Sequence, residues 1–544
     1  MIAAIDSEPK SQVQFPLKNR VFIKVTEEKQ KTAPFLQRFL ARSSIFFSLV
    51  FLLTFIQIKW LLEIVSFEPG SLFPYIWVLV FSVLSLNISV LAIQALLRIF
   101  VKAPHFPKVD KSVIQSIPVA LLYCIKNESF GLRERIAYTL RGNNLSNLYL
   151  WILSDSNDLF GKEEEVLVER LRNEFGREKV SYRRRVIPEE KKQGNIKDWL
   201  LKWGSSYQYF IVCDADSLLP PGWTQEVLRI AEHPKHTKIG IFQSAIYITH
   251  EASLYSRMQA IAQFYAQKLY FHVNQAVFGH SIAFGHNCLI RREVFQRIKL
   301  PQGILSHDNW ETALLEREGY RTVFLQDLIS FEEAAPHYLE ERKRSKRWLK
   351  GTLQGWPLLF LPRISFSTRF LIFYQIYLYL VQPLLCFWIV STFLGGSRLF
   401  ASGSVSFQLF GFTLGVLFFH KMAVANHPSD IKRILQETLF STLIGLQNIF
   451  YGTLDFLTIP FEKLGWAPMA KMPGARLSFI ECTRNLFVGT LVGAVLLWFG
   501  VGQSITWTFF TLPVLLSLIL SIPFVYFSSK NLFSKVRHVH TERG

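Results

Sequence analysis

The chain has 544 residues, half of them hydrophobic and 15% aromatic, which exceeds what a soluble core needs and excludes a wholly soluble protein. Its net charge of +19 could suit nucleic acid, but the basic residues gather beside long apolar stretches, so an anionic membrane face is the expected partner and no nucleic acid is. Cys124, Cys213, Cys288, Cys386 and Cys482 show neither paired nor metal-ligand spacing, which argues against a disulfide framework or a zinc site and points to a reducing compartment.

Residues 1–43 read as a polar cytoplasmic segment without the pattern of a signal peptide, so the first membrane helix is expected to be retained. Residues 44–67 and 73–100 are each long enough for the roughly 20 apolar residues a spanning helix requires, and they predict a hairpin over 44–100. Its connector, 68–72, holds no Lys or Arg. The flanks carry Lys29, Lys31, Arg38 and Arg42 on one side and Arg98, Lys102 and Lys108 on the other, which places both flanks in the cytoplasm.

Over 112–354 the hydropathy falls, and apolar runs at 119–123, 148–153 and 209–212 alternate with helical patterns. Continuous apolar runs of this kind predict a buried parallel sheet in a cytosolic α/β domain. Residues 355–528 return to membrane character, with spans expected at 370–394, 405–419, 486–501 and 507–527. Residues 434–459 have basic flanks (Lys432, Arg433, Lys463, Lys471, Arg476) on what should be one side, which favours an interfacial or re-entrant helix, or a tight pair. The expected total is six to eight spans plus interfacial helices, closed by a basic cytoplasmic tail at 529–544.

The strongest local signal is Asp214-Ala215-Asp216 at the end of a strand. Ligands of open α/β sheets bind beyond the carboxyl ends of strands, and two hard oxygen ligands there suit Mg²⁺ or Mn²⁺ bridging to a diphosphate. A solvated Asp pair in a turn is the bland alternative. Asp155 ends a second strand and could hydrogen-bond a uracil or ribose, although Asp, Asn and Ser are ordinary turn formers. The first strand runs into Lys126-Asn127-Glu128, polar groups at the same rim. Lys191-Lys192-Gln193-Gly194-Asn195 reads as a basic, flexible segment within reach of a phosphate, or simply as an exposed loop. Asp308 precedes the helical pattern that starts at Trp310. It either caps that helix or serves as the general base for an acceptor hydroxyl, with His307 modulating it or only packing. In Arg342-Lys343-Arg344-Ser345-Lys346-Arg347-Trp348, Arg347 could clamp a pyrophosphate and Trp348 could stack on a sugar. Lipid headgroups are the alternative partner for the whole cluster.

In order, Asp155, Asp214-Ala215-Asp216, Ser306-His307-Asp308 and Arg344-Ser345-Lys346-Arg347-Trp348 resemble the motif series of processive family 2 glycosyltransferases, the group of cellulose, chitin and hyaluronan synthases. The text is most similar to the glucans biosynthesis glucosyltransferase H family, which builds the backbone of osmoregulated periplasmic glucans. That likeness is carried by Leu153-Ser154-Asp155-Ser156, Gly194-Asn195-Ile196 with Asp198-Trp199, Asp214-Ala215-Asp216-Ser217, Phe284-Gly285-His286-Asn287 and Ile304-Leu305-Ser306-His307-Asp308. Arg347-Trp348 with Gly351 and Leu353-Gln354, and Ser521-Ile522-Pro523, complete it over about 103–527. Arg344 stands where cellulose synthases have Gln.

The resemblance implies a GT-A-like, Rossmann-like catalytic domain under an α-helical transmembrane bundle. It implies donor binding by Asn127, Glu128, Asp155, Lys192, Asp214, Arg344 and Arg347, with a divalent metal (Mg or Mn) on Asp214 and Asp216. Asp308 would be the base, and Phe284, Gly285, His286, Asn287 and Trp348 would meet the acceptor glycan. The implied function is inverting, processive polymerisation of glucose from UDP-glucose into a β-glucan, with a β-1,2 backbone, passed across the bacterial inner membrane. Both termini and the catalytic domain would be cytoplasmic, and accessory proteins for glucan modification or export are possible partners. The rivals are a cellulose-synthase-like enzyme of different linkage, a non-processive transferase loading a lipid carrier, and a transporter with a nucleotide-binding domain. Few ionisable residues lie in the later spans, which speaks against the transporter.

Overall fold

The computed structural model describes residues 33–67, 70–102, 104–249, 253–395, 403–462, 476–503 and 505–530. The expected N-terminal segment as far as residue 32, the tail from residue 531, and Lys463 and Lys471 lie outside these residues.

Helices α1 (Ala33–Ile64) and α2 (Phe73–Phe100) form the hairpin. The α/β region follows as β1 (Val119–Ile125), α3 (Leu132–Gly142), β2 (Leu148–Ser154), α4 (Asp158–Phe175), β3 (Val180–Arg184), α5 (Lys191–Lys202), β4 (Tyr209–Asp214) and α6 (Trp223–Ala231). It continues through β5 (Ile239–Thr249), α7 (Leu254–Ala266), α8 (His272–Phe278), β6 (Cys288–Arg291), α9 (Arg292–Phe295), α10 (Asp308–Arg317), β7 (Arg321–Glu333) and α11 (Tyr338–Leu353).

Among the described residues these strands form one seven-stranded sheet in the order β3-β2-β1-β4-β6-β5-β7. All of β1 is buried, and its side chains alternate between two cores. Leu121 and Tyr123 pack with Leu132, Ile136 and Leu167 of α3 and α4. Ala120 and Leu122 pack with Ile196 and Trp199 of α5. Helices on both faces leave no polar side for the strand, which is why its sequence is continuously apolar; each such Leu contributes roughly 2 kcal/mol of burial. The three apolar runs form parallel strands as expected, and the sheet as a whole is mixed, because β6 runs antiparallel to both β4 and β5. Its four residues enter the sheet from the end where the β4 carboxylates lie, because Asn287 N–H bonds to the Val212 carbonyl at 2.6 Å.

The C-terminal region contains α12 (Phe366–Gly395), α13 (Gly403–Met422), α14 (Pro428–Thr458), α15 (Phe479–Gln503), α16 (Ile505–Ile519) and α17 (Ser521–Ser528). Among the described residues, four helical stretches are long and apolar enough to cross a membrane: Ala41–Ile64, Phe73–Phe100, Phe366–Phe393 and Phe479–Gly502. This is fewer than the six to eight expected. The span expected over 507–527 breaks at Leu520 into α16 and α17, and the 15 residues of α16 cover only about 22 Å. Of the stretch 434–459, all but its last residue falls within α14, one continuous helix and no tight pair, with Glu437, Gln447 and Asp455 buried. The apolar helices and the α/β region share a core in which Phe46, Val90, Leu371 and Tyr374 meet Tyr265, Leu269 and Val273 of the α7–α8 region.

Candidate active site

Parallel register puts three strand ends side by side. Ile125 of β1 pairs with Ser154 of β2, and Cys124 pairs with Asp214 of β4. The residues just beyond therefore converge on one cavity of about 830 Å³, which also receives α5, the segment before α10, and α11.

Asp155 lines this cavity, but its carboxylate is gripped by Arg185, whose Nε and Nη2 donate to the two oxygens at 2.7 Å each. Arg185 also donates to the carbonyls of Glu189 and Lys191 at 2.8 and 2.9 Å, which anchors the start of α5. The basic stretch 191–195, expected to be a flexible loop, is the first turn of that helix. Lys192 is thereby fixed. Its ammonium pairs with Asp214 and donates to the Gly285 carbonyl at 2.8 Å. Burial alone would lower its pKa, but Asp214 more than offsets this and the net shift is upward.

Asp214 and Asp216 both face the cavity. Asp216 is buried and its Oδ2 accepts from the Glu333 amide at 3.4 Å; the Asp214 amide is held by Ser217 Oγ at 2.8 Å. His286 stands beside them, with Nδ1 3.8 Å from Asp214 Oδ2 and Nε2 2.9 Å from Glu332 Oε2. Burial would depress its pKa, yet Asp214 and Glu332 raise it to about 9.

On the opposite wall, Asp308 opens α10 at the N-terminal end of the helix dipole. The helix-cap reading does not apply: His307 occupies the cap position and no side-chain cap bond is made. His307 Nδ1 lies 2.8 Å from Glu311 Oε1 and 3.3 Å from Asp308 Oδ1. Burial opposes charge on this ring, but Glu311 and Asp308 raise its pKa to about 9.

Two glycines let these segments meet. Gly285 has φ +78°, and a Cβ there would lie 2.4 Å from Asp308 Oδ1. A Cβ on Gly351 would lie 2.6 Å from the Ser306 Cβ, so α11 seats directly on the segment that carries Asp308. Gln354 completes that seat by accepting from the Leu305 amide at 2.8 Å.

Arg344, Arg347 and Trp348 line the cavity from α11. Arg344 lies 4.5 Å from the Trp348 ring centroid and pairs with Glu341 at 2.7 Å. Burial and the adjacent Arg344 lower the pKa of Arg347. Arg342 and Lys346 also line the cavity while pairing with Asp455 and Glu462, and Lys343 is exposed with its ammonium on Glu340.

Lys192, Glu128, Phe284, Gly285 and His286 also line the cavity, whereas Asn127 and Asn287 are not among its lining residues. Asn127 ties two strand-end turns together: its amide donates to Ser156 Oγ at 2.6 Å and its Oδ1 accepts from the Asn157 amide at 3.0 Å. Asn287 is fully buried, and its Nδ2 donates to the Phe331 carbonyl at 3.2 Å. Sequence reasoning missed Arg185, Glu332, Glu311 and Asp455. The i, i+4 spacing of His307 and Glu311 was legible, but the other three meet their partners only through the fold.

The seven-stranded sheet presents acidic strand ends to the cavity, and residues 209–420 match the family described as glycosyl transferase family group 2. The chain's sequence relatives are of the expected kind. The chain is 29% identical over 458 residues to a glucans biosynthesis glucosyltransferase H of Pseudomonas syringae pv. syringae, covering 75% of this chain and 56% of that one. It is 28% identical over 448 residues to the protein of that name in Pseudomonas aeruginosa (strain LESB58), covering 74% of this chain and 52% of that one. The chain thus spans about half the length of these relatives. Among solved structures, the mannosyltransferase PcManGT from Pyrobaculum calidifontis, in complex with GDP-Man and Mn2+, aligns with a TM-score of 0.48 at 12% identity, over 68% of this chain and 98% of that one.

Proposed function

We infer that the chain is a membrane-bound hexosyltransferase that polymerises glucose from UDP-glucose into a β-glucan, with inversion, and passes the product across the membrane. The carrying observation is that Asp308 and the Asp214/Asp216 pair reach one cavity from different elements, and that this cavity continues past Trp348 to Tyr379 and Gln382 of α12 and Asn448 and Tyr451 of α14. One end suits a nucleotide sugar and the other leads along helices of the membrane region.

In this reading Asp308 accepts the proton of an acceptor hydroxyl as its oxygen bonds to the anomeric carbon, while the bond from that carbon to the diphosphate oxygen breaks and UDP departs. Direct attack from the face opposite UDP inverts the anomeric centre, and no covalent enzyme intermediate is needed. Lys192, Arg344 and Arg347 offset charge on the diphosphate, and Trp348 stacks on the acceptor sugar.

The residues present fit a divalent cation. No group of three or more His, Cys, Asp or Glu suited to a metal occurs among the described residues, but two carboxylates completed by phosphate and water oxygens are a normal set for Mg²⁺. Asp214 and Asp216 would hold it, and when bound it would neutralise charge on the departing nucleotide. Transfer of glucose into a glucan draws support from relatives named glucans biosynthesis glucosyltransferase H; the β-1,2 linkage and the inner-membrane location follow from the motif resemblance alone. Incubating purified protein in nanodiscs with radiolabelled UDP-glucose and Mg²⁺ or Mn²⁺, with and without EDTA, tests the reading. Metal-dependent polymer with β-1,2 linkages supports it; inert UDP-glucose beside a reactive second nucleotide sugar overturns the glucan assignment.

A further inference from the structure

Arg342, Lys346 and Lys350 recur every four residues and form one stripe along α11. The stripe is docked on the last turn of α14 and the residues just beyond it. Arg342 donates from Nε and Nη2 to the two oxygens of Asp455 at 3.0 and 2.9 Å, and its guanidinium lies 4.6 Å from the Tyr451 ring centroid. Lys346 donates to Thr458 Oγ1 at 3.0 Å and Glu462 Oε1 at 2.6 Å, and stands 3.3 Å from Asp455 Oδ1. Lys350 donates to the Glu462 carbonyl at 2.8 Å. Asp455 itself is 5% exposed.

A carboxylate this deep is costly unless paired, and a two-pronged Arg fork meets it in only one orientation. The contact therefore sets both the rotation and the height of α11. Gly351 pins the same helix at its other end against Ser306. Arg344, Arg347 and Trp348 lie on α11 within the stretch that these contacts hold, and they line the cavity.

We propose that Asp455 is a positioning residue for sugar transfer: through Arg342 and Lys346 it locks α11 so that Arg347 and Trp348 stand at the reacting centre. The proposal rests on the transferase reading above. It assigns a role in the reaction to α14, a helix outside the α/β sheet.

The test uses the full chain in nanodiscs and compares Asp455→Asn, Arg342→Gln, the double variant and Glu462→Gln by kcat, donor KM and melting temperature. Asp455→Asn should lower kcat by about tenfold or more, because slight misplacement of reacting groups is costly, and should leave donor KM within about threefold. The double variant should be no slower than the slower single one. Wild-type kcat in Asp455→Asn, or losses that multiply in the double variant, would overturn the proposal.

Should Asp455→Asn fail to fold, Glu462→Gln decides, since Glu462 lies near the surface and its loss frees one contact of Lys346; a reduced kcat at unchanged melting temperature is expected, and wild-type kcat refutes the lock. A wild-type protein that transfers no hexose would sink the transferase reading alone. The contact would then stand or fall on melting temperature, where additive shifts from Arg342→Gln and Asp455→Asn would count against it.

Discussion

Asp155 and Arg185 form a two-pronged ion pair at 2.7 Å with side chains only 5% and 11% exposed. Removing one partner strands a buried charge, so Arg185→Gln should destabilise the fold by about 3–5 kcal/mol, and Asp155→Asn combined with it should cost less than the two losses summed. Thermal unfolding of the three variants checks this. Strict additivity would mean that the pair contributes little to anchoring α5.

Asp308→Asn keeps the shape of the side chain and removes its basicity. Sugar transfer should fall by about 10²–10⁴-fold, the usual contribution of a general base, while UDP binding stays within about twofold. Turnover measured beside calorimetric titration with UDP separates the two effects, and retained turnover would take Asp308 out of the base role.

Gly285→Ala places a methyl 2.4 Å from Asp308 Oδ1 and strains a backbone at φ +78°. The strain costs about 1–2 kcal/mol, and the clash moves the carboxylate. Transfer should drop by about tenfold or more while the protein remains folded. A variant with full activity would show that the close approach to Asp308 is dispensable.

His307 carries a pKa raised to about 9 from the usual 6.5. A raised value means that the folded state binds the proton more tightly than the unfolded one. Its contribution is therefore complete below about pH 6.5 and is lost as pH rises through about 9. Melting temperature followed from pH 6 to 10 should fall across this window, and His307→Gln should flatten the fall. An identical profile in both proteins would assign the pH dependence to other groups.

The chain order of chemical signals was readable before any coordinates. Buried strands ending in Asp155 and Asp214, a Ser306-His307-Asp308 turn before a helix, and a cationic cluster ending in Trp348 are local patterns, and hydropathy marked the membrane hairpin. Three strand ends were expected along one edge, and parallel pairing of β1 with β2 and β4 puts them there.

Tertiary structure alone decided the partners. The antiparallel β6, the grip of Arg185 on Asp155, the use of Asn127 and Asn287 in structural hydrogen bonds, and the docking of Arg342 on Asp455 join residues far apart in the chain. No local periodicity records such pairings. A sequence shows what chemistry a side chain can offer and which face of its own element it occupies. Which opposite charge reaches a buried Asp first, and whether an Asn faces a cavity or a backbone carbonyl, depends on the packing of elements against one another, and so on the global balance of burial and desolvation.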